Sequence, residues 1–449
     1  MIIDPATGFK LGSCPESTPD DALKAIAAAA AAFPDWRSRS GRERSRILRR
    51  WYELILENKE DLATLIISEN GKARPDALGE VLFAAGFVEW FSEEAARVYG
   101  DIIPHSSNTF QVSVTKEPVG VCGLMTPWNF PAGMVTRKIA PALAAGFTVV
   151  LKSPGETPFS ANALAVLSQQ AGVPKGVINI VTALDNTPQV GQTLCSSDVI
   201  RKISFTGSTR VGRLLMSQSS STIKKLSLEL GGNAPFIIFK DADLDLALRE
   251  APNAKFKSSG QTCVCANRIY VQTDIVENFT HRFVEAVKTF KLGSGHQDDT
   301  THGPLISSSA VEKVAALVDN SLTQGAKVLI GGKTRPDLGP SYYEPTILTD
   351  VRTDMRITQE EIFGPVATII PFVTENEVIN NANACNVGLA SYVFTENLNR
   401  ARRVSGLLET GMVAMNSESV SDSAIPTRSK AAAGLASQQE DDQGNHRLG

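Results

Sequence analysis

Cys263 lies in SSGQTCVCANR, directly after a Gly-Gln-Thr stretch. A lone free cysteine is ordinarily a small buried hydrophobe. Three other segments change its meaning. TPWNFP at 126–131 holds Asn129 between two prolines and presents a side-chain amide that can donate to an anion. SLELGGNAP at 227–235 places Glu229 on an apolar run that ends in Gly-Gly. FTGSTRVG at 205–212 reads as a strand end, a Gly-Ser turn and a helix start. A thiolate adds to an electrophilic carbonyl carbon. The oxyanion that forms needs preorganised donors. A carboxylate can then draw a proton from water. A helix N-terminus holds a phosphate through its backbone N–H groups and dipole. Each segment alone is weak, but together and in this order they are specific. An ordinary thiol, with a pKa of about 8.5, is only slightly ionised at neutral pH, so such a site must favour the thiolate.

The elements that position these residues change character along the chain. Thr18-Pro19-Asp20-Asp21 predicts a helix start, with a hydroxyl cap, an early Pro and acidic residues at the positive dipole end. That helix is expected to run to Phe33 and break at Pro34. Apolar residues from Ile47 to Ile66 recur at helical spacing within Arg42–Glu69, and Asn70-Gly71 ends the pattern. A third helical pattern spans Asp76 to Val98. TFQVSVT at 109–115 alternates like a half-exposed strand. β-branched runs at 119–125, 147–152, 176–181 and 200–205 then alternate with helical patterns at 133–145, 158–171 and 209–220. That alternation indicates an α/β layer with a parallel sheet, which places ligands at the carboxyl ends of its strands. A second α/β stretch runs from Ala234 to Gly411.

Composition narrows the function classes. The 449 residues allow two or three domains and exclude a mini-protein. A net charge of −4 gives no excess of positive charge to steer the chain onto nucleic acid or anionic lipid. The six cysteines are ordinary for a reducing compartment. The N-terminus carries no secretory pattern, and no apolar run approaches the roughly 18 residues of a membrane span, so the expected address is cytoplasmic. Cys263 and Cys265 form C-x-C without the spaced partners of a zinc site, so no metal is expected. The pair leaves two readings for Cys265, a redox role as disulfide partner of Cys263 or a second, inert thiol.

The quoted motifs resemble the NAD(P)-dependent aldehyde dehydrogenase superfamily over about Asp4 to Asn416, and most of all succinate-semialdehyde dehydrogenases. EWFSEEAARVYGDIIP (89–104), TRKIAPALAAG (136–146), KISFTGSTRVG (202–212), GQTCVCANR (260–268) and EEIFGPV (360–366) carry the likeness. Glu229 stands 34 residues before Cys263, as the family pattern wants. The resemblance implies a Rossmann-like cofactor-binding domain over 1–100 and 120–231 and an α/β catalytic domain over 232–415. It also implies a reduced oligomerisation hairpin over 101–119, while 416–449 is a divergent tail. It makes Cys263 the nucleophile, Glu229 the general base, Asn129 with the Cys263 N–H the oxyanion donors, and Lys138 a proton-relay lysine. NAD or NADP would be held by Thr126, Pro127, Trp128, Lys152, Gly155, Glu156, Phe205, Gly207, Ser208, Gly212, Leu230, Gly231, Glu361 and Phe363. FTGSTRVG is not the ordinary GxGxxG fingerprint. Relatives that prefer NAD carry a Glu three residues after this lysine; here that position is Gly155, and Glu156 is displaced by one. Removing the carboxylate removes repulsion toward a 2′-phosphate, so NADP is expected to be tolerated. Substrate contacts would come from Arg137, Lys257 and Ser421. Lys257 stands where the family usually has arginine, and lysine lacks the bidentate fork.

The C-terminal region departs from the family. Pro426 is followed by Thr427-Arg428-Ser429 instead of Phe-Gly-Gly, and from Thr427 on only Leu435 and Leu448 are large and apolar. The family's last strand is missing, which predicts a mobile or loosely docked tail and a weaker or altered oligomer, a homodimer rather than a tetramer. Two readings follow. One is oxidation of a small aldehyde, such as a carboxylated semialdehyde. The other is a catalytically impaired homologue with a regulatory or interaction role, and only the altered C-terminus supports it.

Overall fold

The structure is a computed structural model that describes residues 1–425, so the expectations for the tail beyond Ile425 lie outside the described residues. β1 (Ile2–Ile3) pairs antiparallel with β2 (Lys10–Gly12), and β3 (Asp101–Ile103) with β4 (Val112–Val114). Five strands form a parallel sheet: β5 (Val121–Met125), β6 (Thr148–Pro154), β7 (Ile178–Ala183), β8 (Ile200–Thr206) and β9 (Lys225–Glu229). Their order is β7-β6-β5-β8-β9. The chain works outward from β5 to one side and then crosses to the other, which opens a crevice at the carboxyl ends of β5 and β8.

The second sheet holds β10 (Ala234–Ile238), β11 (Ala266–Gln272), β12 (Lys327–Ile330), β13 (Thr346–Thr349), β14 (Val366–Phe372), β15 (Ala390–Phe394) and β16 (Met412–Met415). Its order is β12-β13-β14-β11-β10-β15-β16, with only the β12–β13 pair antiparallel. No helix among the described residues is long and apolar enough to cross a membrane.

The near-continuous apolar strands follow from burial on both faces. In the first sheet Cys122, Leu124, Val149 and Leu151 enter a core with Trp51, Val81, Phe87 and Ile139 from the helices Gly41–Glu57, Arg74–Glu94 and Gly133–Ala144. The alternate residues Val121, Met125 and Val150 face Ala22, Ile26, Val190 and Leu215 on the helices Pro19–Ser38, Thr187–Ser196 and Thr209–Ser219. The second sheet repeats this alternation, with Phe236 and Ile269 on one side and Ile237 and Tyr270 on the other.

Four expectations need correction. The first helix does not break at Pro34 but continues to Ser38. Pro34 costs the helix a hydrogen bond, but the next turn buries Trp36 completely under the Arg39 guanidinium, 5.6 Å from the ring. The pattern over 42–69 is two helices, Gly41–Glu57 and Lys59–Asn70, because Asn58 leaves helical geometry and its side chain donates to the Leu54 carbonyl at 2.8 Å. The third helix is Arg74–Glu94, short of Val98. The strand expected over 109–115 is only three residues long. The expected stop at Asn70-Gly71 holds: Gly71 has φ +85°, and a Cβ there would lie 2.7 Å from the Pro304 ring.

Candidate active site

Cys263 begins the tight turn between a 3-10 segment, Lys257–Gly260, and β11; the Cys265 N–H donates to the Thr262 carbonyl at 3.0 Å to close it. Ser258 and Ser259 have φ of +51° and +55°, and Gly260 has +76°. Left-handed serines cost on the order of 1–3 kcal/mol each and persist only where surroundings over-determine them. The surroundings do so here. The Ser258 N–H donates to Asp76 at 2.8 Å, the Ser259 hydroxyl to the Gly303 carbonyl at 2.7 Å, and the Ile306 N–H to the Gln261 side chain at 2.9 Å. Gly232 approaches from the other side; a Cβ on it would lie 2.3 Å from the Cys263 carbonyl oxygen.

Asn129 is buried, and its Nδ2 donates to the Gln261 carbonyl at 2.9 Å, two residues before the thiol. An amide nitrogen carries two protons, so one remains for another acceptor. No protein acceptor engages the Cys263 N–H among the described residues. Glu229 ends β9, nearly buried, with Oε2 accepting the Thr206 hydroxyl at 3.1 Å and Oε1 3.4 Å from the Arg137 guanidinium. Arg137, expected at the substrate, is therefore set against the carboxylate expected to be the general base. Lys138 is buried and donates to Ser204 at 3.0 Å, on the strand next to β9.

Arg137, Glu229, Lys257, Cys263, Cys265 and Ser421 line one cavity of about 170 Å³. That holds a small metabolite and falls below the roughly 300–1,000 Å³ of drug-sized sites. Burial pushes the Cys263 thiol up, Glu229 and Glu361 push it further, and Arg137 opposes them. Cys265 is buried, with Sγ 3.5 Å from the Lys255 carbonyl.

The expected cofactor residues collect at the carboxyl edge of the parallel sheet. Thr126, Pro127 and Trp128 follow β5; Lys152, Gly155 and Glu156 stand at the end of β6; Phe205, Gly207 and Ser208 at the end of β8; Leu230 and Gly231 follow β9. Ser208 caps the helix Thr209–Ser219 by accepting from the Val211 N–H at 3.4 Å. Gly212 lets that helix press on Leu230, since a Cβ would lie 2.5 Å from the leucine side chain. Glu361 and Phe363 reach this edge from the loop before β14. The Gly232 N–H donates to Glu361 at 3.3 Å, and Phe363 meets Trp128 edge-on at 5.5 Å. Burial raises the Glu361 carboxyl to about 7.

Two features fit a dinucleotide. The Thr126 hydroxyl is buried with no partner among the described residues. Lys152 is buried too, and burial lowers its pKa against the opposing pull of Glu156 and Glu16.

A group on Asn70–Glu80 carries no signal in the motifs. Asn70 donates to the Trp128 carbonyl at 2.9 Å. Glu80 accepts the Ala132 and Gly133 N–H groups at 2.8 and 3.2 Å and forms a fully buried ion pair with Lys72. The Lys72 ammonium also lies 3.5 Å from the centre of the Phe130 ring. Both flanks of Asn129 are thus clamped from one strap, which also holds Ser258 through Asp76. The only sequence signal is a carboxylate on an otherwise apolar helix face. Glu80→Ala leaves a buried ammonium unpaired, so unfolding free energy is expected to fall by about 3–5 kcal/mol. A denaturant titration checks this; an unchanged midpoint would contradict it.

The profile of the aldehyde dehydrogenase family matches residues 1–429. A succinate-semialdehyde dehydrogenase [NADP(+)] of Saccharomyces cerevisiae is 48% identical over 95% of this chain and 86% of its own. A 3-sulfolactaldehyde dehydrogenase of Pseudomonas putida is also 48% identical, over 95% of this chain and 87% of its own. An NADP-dependent enzyme of E. coli superposes with TM-score 0.96 at 46% identity, over 98% of this chain and 92% of that one. The matched span takes in the segments of Cys263, Asn129 and Glu229 and the whole parallel sheet: the chain belongs to the aldehyde dehydrogenase family.

Proposed function

We propose that this protein oxidises a small carboxylated semialdehyde, such as succinate semialdehyde, to the acid with NADP or NAD. The observation that carries the reading is the cavity walled by Cys263, Glu229, Arg137 and Lys257. The Cys263 sulfur adds to the aldehyde carbon. The second Asn129 N–H and the Cys263 N–H donate to the oxyanion. The chemistry that a bound nicotinamide supplies is acceptance of hydride. Glu229 then takes a proton from the water that hydrolyses the acyl group on Cys263. The relay of that proton is assigned to Lys138, which is hydrogen-bonded to Ser204 on the strand next to β9. No relative named above favours the impaired-homologue reading, whose support is the altered C-terminus alone.

Gly155 explains the cofactor expectation in space. A Cβ there would lie 2.5 Å from the Leu184 Cβ and 2.7 Å from its Cα, so a carboxylate at 155 requires the loop to move. Lys152 is left to meet the ribose or a 2′-phosphate as a point charge. Initial rates with succinate semialdehyde are expected to be as high with NADP as with NAD, or higher. Exclusive use of NAD would overturn the cofactor part. Equal kcat/KM for succinate semialdehyde and butanal would overturn the carboxylate part. We further propose a homodimer built on the β3–β4 hairpin, where Ile102 is 73% and Phe110 67% exposed.

A further inference from the structure

The charges around the cavity are not equally committed. Glu229 is paired with Arg137, and Glu80 with Lys72 and two backbone N–H groups. Two remain. Lys257 is exposed on the 3-10 segment before the nucleophile, and Glu418 is half-buried on the chain that follows β16. Among the described residues, neither the Lys257 ammonium nor the Glu418 carboxylate has a hydrogen-bond or ion-pair partner. They are near enough for Lys257 to stabilise the Glu418 charge, yet they form no ion pair with each other. Glu418 is held in place by its backbone, since its N–H donates to Glu250 at 2.9 Å. Tyr392, also on the cavity wall, donates its hydroxyl to the Val264 carbonyl at 2.7 Å.

A half-buried, unpaired carboxylate is costly. Glu250 already acts on Glu418 as a like charge, so a simple semialdehyde anion bound at Lys257 would add a further negative charge there and worsen that cost. A molecule carrying both charges resolves it. Resting on the semialdehyde reading above, we propose that the distal end of the cavity is built for a zwitterion: a 2-amino semialdehyde whose carboxylate meets Lys257 and whose ammonium meets Glu418. The aldehyde carbon is oxidised as already described, with water supplying the oxygen and NAD(P)+ taking the hydride. The ammonium and carboxylate leave unchanged.

The test compares kcat/KM for 2-amino-4-oxobutanoate, 4-oxobutanoate and butanal. Wild type is expected to favour the amino acid aldehyde over 4-oxobutanoate by about tenfold or more, the scale of a hydrogen bond to a charged group. Glu418→Gln is expected to reverse the order, losing on the amino compound while gaining on 4-oxobutanoate. Lys257→Gln is expected to lower both acids toward butanal. A wild-type preference for 4-oxobutanoate overturns the proposal, as does a Glu418→Gln enzyme that shifts both acids by the same factor. If 4-oxobutanoate still exceeds butanal in those cases, the semialdehyde reading stands and only the zwitterion falls. If neither acid exceeds butanal, both fall.

Discussion

Cys263→Ala is expected to lower NADPH formation from succinate semialdehyde by about 10⁴- to 10⁶-fold, the scale of losing a covalent nucleophile. No neighbour can stand in for the sulfur. Cys265 is two residues on, buried, with its Sγ against the Lys255 carbonyl. Glu229 and Asn129 can polarise and deprotonate, but neither forms the acyl bond that is then hydrolysed. The thiol faces the cavity and is only half-buried, so alanine leaves the folded core intact. The variant should therefore melt within a degree or two of wild type, on the scale of surface substitutions. Initial rates and a thermal scan check both halves, and residual activity within tenfold of wild type would remove Cys263 from the reaction. Burial and the facing carboxylates hold the wild-type thiol high, so the thiolate fraction grows as pH rises. The rate of the first covalent step should climb through neutral into alkaline pH.

Glu229→Gln should separate the two halves of the reaction. Glutamine still accepts from the Thr206 hydroxyl and the Arg137 guanidinium, so the local geometry survives. It cannot take a proton from water. We expect a burst of one NADPH per active site, followed by turnover slowed about 10²- to 10⁴-fold, the usual share of a general base. Glu229 is also the foremost charge raising the Cys263 thiol. Removing it should speed alkylation of Cys263 by iodoacetamide at neutral pH. Rapid mixing shows the burst; wild-type turnover in the variant would assign the base elsewhere.

Much of this site is legible in the amino-acid sequence. Cys263, Asn129 and Glu229 each sit in a segment whose glycines and prolines fix the backbone, so short motifs carry the geometry. The strand ends that gather the residues expected at the cofactor follow from β-branched runs alternating with helical ones. Sequence reasoning fails where tertiary contacts outweigh local preference. Pro34 reads as a stop, and only the burial of Trp36 shows why the helix passes through it. Asn58 splits a continuous apolar pattern by folding its own amide onto Leu54. The helix Thr187–Ser196 is ten residues long with only Val190 and Leu194 as large apolar residues at helical spacing, and these pack beneath the sheet. Glu80 and Lys72 are remote from every motif, and Glu80 owes its value to backbone partners more than fifty residues away. Glu418 gains a meaning only because the chain after β16 crosses the cavity.

The strap from Asn70 to Glu80 has a consequence for inheritance. It holds the Asn129 loop on one side and Ser258, five residues before the thiol, on the other. Gly295 and Gly303 press on its backbone so closely that a Cβ on either would lie within 2 Å of a strap carbonyl oxygen. Four separate stretches of the gene therefore encode one mechanical part. When such enzymes are recombined, a crossover between residues 133 and 257 gives the strap one parent and the Cys263 turn another. Chimeras should survive such cuts only where the parents agree at Asp76, Ser258 and those two glycines, however alike the rest of their sequences.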